Sequence, residues 1–310
     1  MNNKKTVEAK NAFFIKLGAG EMWAEDCIKN NTIRLGFGNP YHKNCLKKDW
    51  KKITNFYINK IKKKKTKASE VTNQIRNFYE SGNDTIWITF HNRKMYWCFA
   101  DEEVIELKDK TRIRKTKGLW SDSDIDKNKL TVDKISSKLT QVQGFIGAIC
   151  SIREFEYLLN KINNKKSEDL LLVENVYNSL QDSLKPLIKN LTWEDFELLT
   201  DLIFSYSGWK RVDVLGKYQK AIDLDLMSPV TGKRGFLQVK SYSDLNTFFD
   251  YLERFKNMLL YDEMFYVVHS KSKDLENYKG DDSSKIIDID KLAKLVIDAG
   301  LVEWLIEKTY

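Results

Sequence analysis

Apolar and aromatic residues alternate with polar ones in short runs across residues 12–120, the pattern that predicts β-strands. Five runs show it: AFFIKLG, TIRLGFG, TIWITFHN, KMYWCFAD and EVIELKD. The tetrapeptide HNRK between the third and fourth runs predicts the turn of a β-hairpin. Two helical segments accompany the strands, GEMWAEDCIKN and a lysine-rich helix over 43–67 that continues in ASEVTNQIRNFYESG. Short mixed strands around a few helices indicate a small, mixed, barrel-like domain.

From Ser167 onwards the apolar residues recur every three or four positions, which indicates helices. The first helical segment is EDLLLVENVYNSLQDSLKPLIKN, which Pro186 ends or kinks. The second is LTWEDFELLTDLIFSYSGWK, with Thr192 as its N-cap, Trp193 on its apolar face and Gly208 as its stop.

The remaining segments follow a regular order. They are the strand-like RVDVLG, AIDLDLMS and RGFLQVKSY, the helix TFFDYLERFKNMLL, the strand MFYVVHSK, and one or two closing helices in DIDKLAKLVIDAGLVEWLIEK. The order α-β-β-β-α-β-α predicts a central mixed sheet flanked by helices. We therefore predict an α/β fold, α+β over the whole chain, in which a helical linker at 166–190 joins a domain at 1–165 to a domain at 191–310.

The length of the chain is sufficient for two domains, and its net charge predicts the kind of partner that it binds. At 310 residues the chain has room for two domains, and its hydrophobic content of 42% is sufficient for two cores. The formal net charge is +8, which favours a polyanionic partner. Residues 43–67 hold eleven lysines and one acid. The same pattern suits a solvated surface helix or a contact with the phosphate backbone of DNA, and for the second we name Lys47, Lys48, Lys51, Lys52, Lys62 and Lys63.

Several classes of protein do not fit the sequence. No apolar run approaches the roughly 20 residues that a membrane span needs, and the first residues lack the apolar core of a signal peptide, so we expect a cytoplasmic protein without a membrane partner. Four cysteines without a CxxC pair indicate free thiols, and three scattered histidines argue against a zinc site. A catalytic metal would then be held by carboxylates, which favours Mg²⁺, with Mn²⁺ as a substitute.

The segment AIDLDLMSPVTGKRGFLQVKSY places charged residues where a buried strand normally excludes them. Asp223 and Asp225 share one face of the first strand, and Gln238 and Lys240 share one face of the second, because a strand alternates its faces. A lone buried lysine is costly unless an opposite charge or a metal site accompanies it. Asp223, Lys240 and a divalent cation would satisfy one another, while Asp225 either adds a ligand or faces solvent.

Residues 192–306 resemble the Mrr-type branch of the PD-(D/E)xK nuclease superfamily. The residues that carry the resemblance are Phe196 and Glu197 in DFELL, Asp223 in KAIDL, and Gln238 and Lys240 in LQVK. The closing IIDIDKLAKLVIDAG is similar to the C-terminal element of that branch. The glycine-rich run that often precedes the acid in that family is replaced here by KYQKAID.

The resemblance implies a restriction-endonuclease-like sheet and a role for each residue. Asp223 would be a metal ligand, Gln238 would occupy the position of the second acid, Lys240 would be the catalytic lysine, and Glu197 would supply a helix-borne carboxylate near the metal. The alternative is an edge strand whose Gln and Lys are solvated and whose acids cap a turn, including a nuclease-like scaffold that only binds.

Aromatic residues are frequent in the N-terminal half, and most such residues form cores. Segments over 12–125, including FFIKLGAGEMW, IWITFHNRKMYWCFA and GLWSDSDI, are similar to PUA-like, EVE and YTH modules. That resemblance implies a domain that reads a modified base in an aromatic pocket, for which the candidates are Trp23, Trp87, Trp97 and Trp120. Trp120, next to Ser121 and Asp122, is expected on a polar loop.

These observations predict a Mg²⁺-dependent DNA endonuclease with an N-terminal reader, acting in modification-dependent restriction against phage DNA. Because both strands of a duplex are usually cut by two active sites, we expect a homodimer or an assembly induced by DNA. Two alternatives remain: a nuclease acting on RNA or single-stranded DNA, and a non-catalytic nucleic-acid-binding protein.

Overall fold

The computed structural model describes residues 6–212, 223–278 and 283–310, and these form an α/β fold. The chain divides into two compact units, Met1–Ser167 and Glu168–Tyr310. Segment 166–190, which was expected to link two domains, therefore lies almost entirely within the second unit.

The first unit is a curled half-barrel sheet with helices against it. Its described elements are, in chain order, β1 (Asn11–Ile15), α1 (Ala24–Lys29), β2 (Thr32–Leu35), α2 (His42–Leu46), α3 (Trp50–Asn59), α4 (Lys65–Glu80), β3 (Thr85–His91), β4 (Lys94–Ala100), β5 (Ile105–Glu106), β6 (Arg112–Ser121), α5 (Ser137–Thr140), β7 (Ile149–Ser151) and α6 (Phe155–Ile162). The strand order is β2-β6-β4-β3-β1-β7, and β5 pairs with β6. Strands β1 and β3 are parallel, and the other pairs are antiparallel. The predicted mixed, barrel-like sheet is confirmed.

The hairpin predicted from HNRK joins β3 to β4. His91 and Lys94 are directly opposite each other, and the two residues between them, Asn92 and Arg93, have φ of 47° and 58°. Two central residues with positive φ define the turn whose twist matches that of the flanking strands.

The long lysine-rich helix predicted over 43–67 and beyond is wrong in its continuity, because the chain breaks it into α2, α3 and α4. Lys48 and Lys62 adopt φ of 58° and 59°, a left-handed conformation that a continuing helix excludes. Asp49 then starts α3 by accepting a hydrogen bond from the Lys52 N–H. The amphipathic pattern survived these breaks because Trp50, Ile53 and Tyr57 still face the core.

Both faces of the half-barrel sheet carry a core. Trp87 on β3 points into the core that α1 to α4 cover, whereas Ile86 and Ile88 point into the core that α5 and α6 cover. The four cysteines are free thiols, as predicted, and Cys27, Cys45 and Cys98 are buried in the first of these cores.

Arg114 on β6 is fully buried within the first core. Its guanidinium donates to the carbonyl oxygens of Phe78, Ser81 and Asp101 at 2.9, 2.9 and 2.6 Å, and it lies 5.8 Å from the centre of the Trp87 ring. Burial lowers the pKa of Arg114 to about 10, so the side chain remains charged at neutral pH. The arginine thus joins the end of α4 to the end of β4 through main-chain oxygens.

We predict that Arg114→Met lowers the free energy of unfolding by about 3 kcal/mol, because it leaves buried carbonyl oxygens without a donor. Lys117→Met, an exposed change on the same strand, should cost less than about 0.5 kcal/mol. Urea denaturation of the full chain measures both values. Equal effects of the two substitutions would contradict this role.

The second unit contains a five-stranded mixed sheet among the described residues. Its elements are α7 (Glu168–Lys189), α8 (Trp193–Tyr206), β8 (Lys210–Arg211), β9 (Leu224–Met227), β10 (Arg234–Ser243), α9 (Leu245–Asn257), β11 (Glu263–Lys271), α10 (Lys273–Glu276), β12 (Ser284–Ile287), α11 (Ile289–Asp298) and α12 (Val302–Thr309). The strand order is β12-β11-β10-β9-β8. Strands β10, β11 and β12 are parallel, and β9 and β8 are antiparallel to their neighbours.

The predicted central sheet flanked by helices is confirmed, and its details add to the prediction. Thr192 caps α8 as expected, and Gly208, with φ of 87°, follows the helix end. Strand β12 and the short α10 were not predicted. Most of the expected strand RVDVLG, and the segment KYQKAI before Asp223, lie outside the described residues.

Helix α7 is part of the core of the second unit. Leu184 and Ile188 near its end are buried in one core cluster with residues of α8, α11 and α12. Lys185 forms an ion pair of 2.5 Å with Asp290 on α11. The described part of the chain contains no helix with the length and apolar character that crossing a membrane demands.

Candidate active site

The two faces of β10 determine where its polar residues lie. Leu237 and Val239 point into the core shared with α7, α8 and α11, whereas Phe236 points into the core covered by α9. By alternation, Gln238 and Lys240 share the α9 face, as the sequence predicted.

Asp223 lies immediately before β9 and is fixed against β10. Its Oδ2 accepts a hydrogen bond of 2.7 Å from the Val239 N–H and a second one from Gln238 Nε2. This contact follows from the strand register, because Leu224 is paired with Leu237 in antiparallel strands. Two donors on one oxygen fix the orientation of the carboxylate.

Gln238 is buried and has an unsatisfied acceptor. Its side chain is 1% exposed, its Nε2 donates to Asp223, and its Oε1 has no hydrogen-bond partner among the described residues. Since buried carbonyl oxygens without a donor are rare and costly, this atom marks a position where a further group would be favourable.

Glu197 on α8 lines a cleft of about 270 Å³ together with Lys240, Ser241 and Trp193. Partial burial raises the pKa of Glu197, and the negative charge of Asp223 raises it further, while the positive charges of Lys240 and Arg211 oppose both effects. The carboxyl groups of Glu197 and Asp223 therefore lie close enough to repel each other. A cation between such groups relieves the repulsion.

Lys240 and Asp223 were expected to satisfy one another together with a divalent cation, and this expectation stays a prediction. Lys240 forms no ion pair with an acid in the part of the chain that the structure describes; its Nζ lies 5.3 Å from the centre of the Tyr251 ring. The donors on Asp223 Oδ2 are Val239 and Gln238, so the lysine turns towards α9. Lys240, in the second half of β10, is partly exposed, which lowers the cost of its charge.

The expectation that Asp225 faces solvent is wrong, while its alternative role as a ligand stays a prediction. It is 3% exposed and forms an ion pair with Arg234. Burial raises the pKa of the nearby Tyr261 to about 12, and the charge of Asp225 adds to this effect. Asp225 thus pairs with Arg234 at the start of β10 through Oδ2, while its Oδ1 has no hydrogen-bond partner among the described residues.

The donor set around Asp223 suits a hard cation. No cluster of three or more His, Cys, Asp and Glu side chains with metal-binding geometry occurs within 6–212, 223–278 and 283–310. The predicted set instead combines two carboxylates, Asp223 and Glu197, with the orphaned amide oxygen of Gln238. Oxygen donors without nitrogen or sulfur are those that Mg²⁺ and Mn²⁺ accept, with water filling the remaining positions.

Three of the four tryptophans proposed for a base pocket have their rings buried or partly buried in contacts within the first unit. Trp87 is fully buried in the core of the first unit, between the rings of Phe13 and Phe78. Trp120 lies in strand β6 rather than on a loop, is 7% exposed, and donates to the Thr32 carbonyl oxygen. Trp97 is partly buried, and its indole N–H donates to the Ser123 carbonyl oxygen at 2.8 Å. Strand alternation turned these rings inwards.

Trp23 lines a cleft of about 590 Å³ in the first unit. The cleft also includes Phe37 and Phe145. Gly18 and Gly36 lie against the indole so closely that a Cβ on either would come within 3.1 Å of it. The Arg34 guanidinium lies 4.1 Å from the ring centre. The indole is thus held rigidly beside an open space large enough for a planar ligand.

The six lysines named from the sequence form two groups, one at each end of α3. Lys47, Lys48, Lys51 and Lys52 surround its start, and Lys62 and Lys63 follow its end; all are exposed except Lys63, which is partly buried. Because α3 has 10 residues, the two groups are separated by about 15 Å along the helix. Helix α4 begins after Lys64 with no side-chain cap, so its first N–H groups add to the positive potential there.

The sequence did not identify Trp193, Tyr251 or Arg254 as site residues. Trp193, expected on the buried face of α8, is instead 61% exposed at the cleft. Tyr251 and Arg254 are three residues apart on α9, which places them on one side of the helix. That spacing was visible in the sequence, but the position of α9 against Lys240 was not.

Comparisons with protein-family models, with curated proteins and with solved structures return no match to this chain.

We predict that Glu197→Gln stabilises the metal-free protein at pH 7.5 by less than about 1 kcal/mol. The pKa of Glu197 is raised in the folded state, so its ionised form opposes folding, and stability is lost as the pH rises through that pKa. The advantage of the variant should therefore vanish in acid. Thermal unfolding in EDTA across pH 4 to 8 measures it.

The matched control is Glu194→Gln, an exposed acid one turn earlier on α8. A Glu197→Gln variant that is no more stable than this control at pH 7.5 would show that the carboxylate is not held at an electrostatic cost.

Proposed function

We propose that the protein is a Mg²⁺-dependent DNA endonuclease whose second unit hydrolyses phosphodiester bonds and whose first unit selects the DNA. The observation that carries the proposal is the convergence of Asp223, Gln238, Glu197 and Lys240 at the junction of β9, β10 and α8. Two carboxylates, together with an amide oxygen and an ammonium that lack partners among the described residues, are costly for folding and useful for phosphoryl chemistry.

Asp223, Glu197 and Gln238 would hold the cation. A bound Mg²⁺ would supply a Lewis acid for the phosphodiester and a water of lowered pKa. Residues of the protein would neutralise the developing charge and orient the carboxylate ligand.

Lys240 neutralises negative charge. Its ammonium is not paired with an acid among the described residues, so it remains available for a phosphate oxygen on which charge accumulates during attack by water. Glu197 lines the cleft together with Lys240 and would act there as a ligand of the cation. The Val239 N–H and Gln238 keep the Asp223 carboxylate oriented throughout.

The first unit offers two features of a reader. The lysines at both ends of α3 supply affinity for the phosphate backbone without sequence information. The cleft beside Trp23 supplies an aromatic surface for a base taken out of the stack, and its shape would distinguish modified from unmodified bases. Together these features support modification-dependent restriction of phage DNA, with a homodimer or a DNA-induced assembly cutting both strands.

We predict that Asp223→Asn and Lys240→Ala each lower Mg²⁺-dependent cleavage by at least about 100-fold while binding to DNA persists, since the changes remove charge stabilisation and spare the reader. Asp250→Asn and Lys256→Ala, exposed changes on α9, serve as controls matched in charge. Cleavage is followed on gels, with Mg²⁺ and with EDTA, and binding by fluorescence anisotropy.

The substrates for this assay are matched duplexes with no modification, N6-methyladenine, 5-methylcytosine, 5-hydroxymethylcytosine or glucosylated cytosine, together with single-stranded DNA and RNA. Cleavage of one modified duplex that Trp23→Ala abolishes supports the reader. Faster cleavage of RNA or single-stranded DNA than of any duplex would show that duplex DNA is not the substrate. Binding without cleavage of any substrate would leave a nucleic-acid-binding protein on a nuclease-like scaffold.

We predict that replacing Lys47, Lys48, Lys51 and Lys52 by alanine weakens binding to all DNAs alike. The slope of log affinity against log salt should fall by about 0.9 for each phosphate that the variant no longer neutralises. The control replaces four exposed lysines elsewhere in the first unit, Lys115, Lys117, Lys127 and Lys134. Equal slopes for the two quadruple variants would show that the four lysines around the start of α3 are solvated surface residues without a phosphate contact.

A further inference from the structure

The Tyr251 ring on α9 is a shared contact for two cations. Lys240 Nζ lies 5.3 Å from its centre, and the Arg254 guanidinium lies 4.9 Å from it. Both distances are within the range in which the face of an aromatic ring attracts a positive charge. One residue of α9 thus contacts both a candidate catalytic group and a second cation outside the set described above.

Tyr251 is itself fixed by its surroundings. It is partly buried and lies against the core on the α9 face of the sheet, 6.0 Å from the Tyr266 ring. Tyr266 is fully buried, and its hydroxyl shares a hydrogen bond of 2.6 Å with Ser243 at the end of β10. A ring held in this way restricts a side chain with four rotatable bonds, such as lysine, far more than solvent does.

Arg254 is exposed and forms no ion pair with an acid in residues 223–278 or elsewhere in the described chain. A guanidinium that lies on a ring still directs its N–H groups outwards, where they can bind a phosphate with two parallel hydrogen bonds. Because Lys240 and Arg254 contact the same ring, their positive charges are close neighbours at this side of the sheet, although Lys240 belongs to β10 and Arg254 to α9.

We propose that Tyr251 positions the Lys240 ammonium for the reaction, and that Arg254, held on the same ring, binds a second phosphate of the nucleic-acid backbone. This inference rests on the proposed nuclease function and adds two residues with separate roles. Tyr251 acts through Lys240 and affects turnover. Arg254 contacts the substrate away from the bond that breaks and affects binding.

The kinetic test uses the full-length protein and short DNA substrates with Mg²⁺. Tyr251→Leu should lower kcat by about tenfold with little change in KM, and Tyr251→Phe, which keeps the ring, should restore the wild-type kcat. Arg254→Ala should raise KM by about fivefold at unchanged kcat and reduce the salt slope of binding, and Arg254→Lys should recover part of the affinity. Lys256→Ala, an exposed neighbour on α9, is the control.

A second measurement does not depend on cleavage. In NMR spectra of protein with labelled lysines, the Lys240 side-chain methylene signals, assigned with Lys240→Met, should show the ring-current shift of Tyr251 in the wild type and in Tyr251→Phe, and lose it in Tyr251→Leu. Binding of DNA to Asp223→Asn in EDTA, with and without Arg254→Ala, tests the phosphate contact in the same way.

The two measurements separate the possible failures. If the wild type cuts no nucleic acid, the proposed function fails, while the ring-current shift and the weakened binding still report on Tyr251 and Arg254. If cleavage occurs but Tyr251→Leu keeps the wild-type kcat and the lysine signals, the positioning role is overturned. If Arg254→Ala binds as tightly as Lys256→Ala, the phosphate contact is overturned.

Discussion

The second unit depends on one contact, the carboxylate of Asp223 held by the main chain and side chain of β10. A strand that carries Gln238 and Lys240 on one face brings polar atoms into a core, and each such atom requires a partner. The Val239 N–H and Gln238 Nε2 meet at Asp223 Oδ2, and this arrangement fixes the start of β9 beside the middle of β10. The same contact leaves the Gln238 Oε1 atom buried without a hydrogen-bond partner among the described residues.

The surrounding charges depend on this contact. Partial burial and the charge of Asp223 raise the pKa of Glu197, and Lys240 contacts the Tyr251 ring rather than an acid among the described residues. The site is thus an acid pair and an ammonium that do not neutralise one another directly.

Much of the fold and part of this site were predictable from the sequence. Period-two alternation placed Gln238 and Lys240 on one face, and the capping preference of Thr192 located the start of α8. The wrong predictions share one cause, because each concerned a position that depends on tertiary packing rather than on local sequence. Alternation does not say which face of a strand is solvated, so Trp87 and Trp120 were mistaken for accessible rings. The contact of Tyr251 with Lys240 depends on how α9 crosses the sheet, which local spacing does not specify.

Arg114 in the first unit has a consequence for how this chain can vary. Its long-range partners are mainly main-chain oxygens, at Phe78, Ser81, Ala100 and Asp101, and main-chain oxygens are present whatever side chain a residue bears. Residue 101 can therefore change its side chain without loss of the hydrogen bond to Arg114, whereas no other side chain offers the same set of donors as Arg114. Substitutions of the partner residues therefore preserve these hydrogen bonds, whereas a substitution of Arg114 removes them.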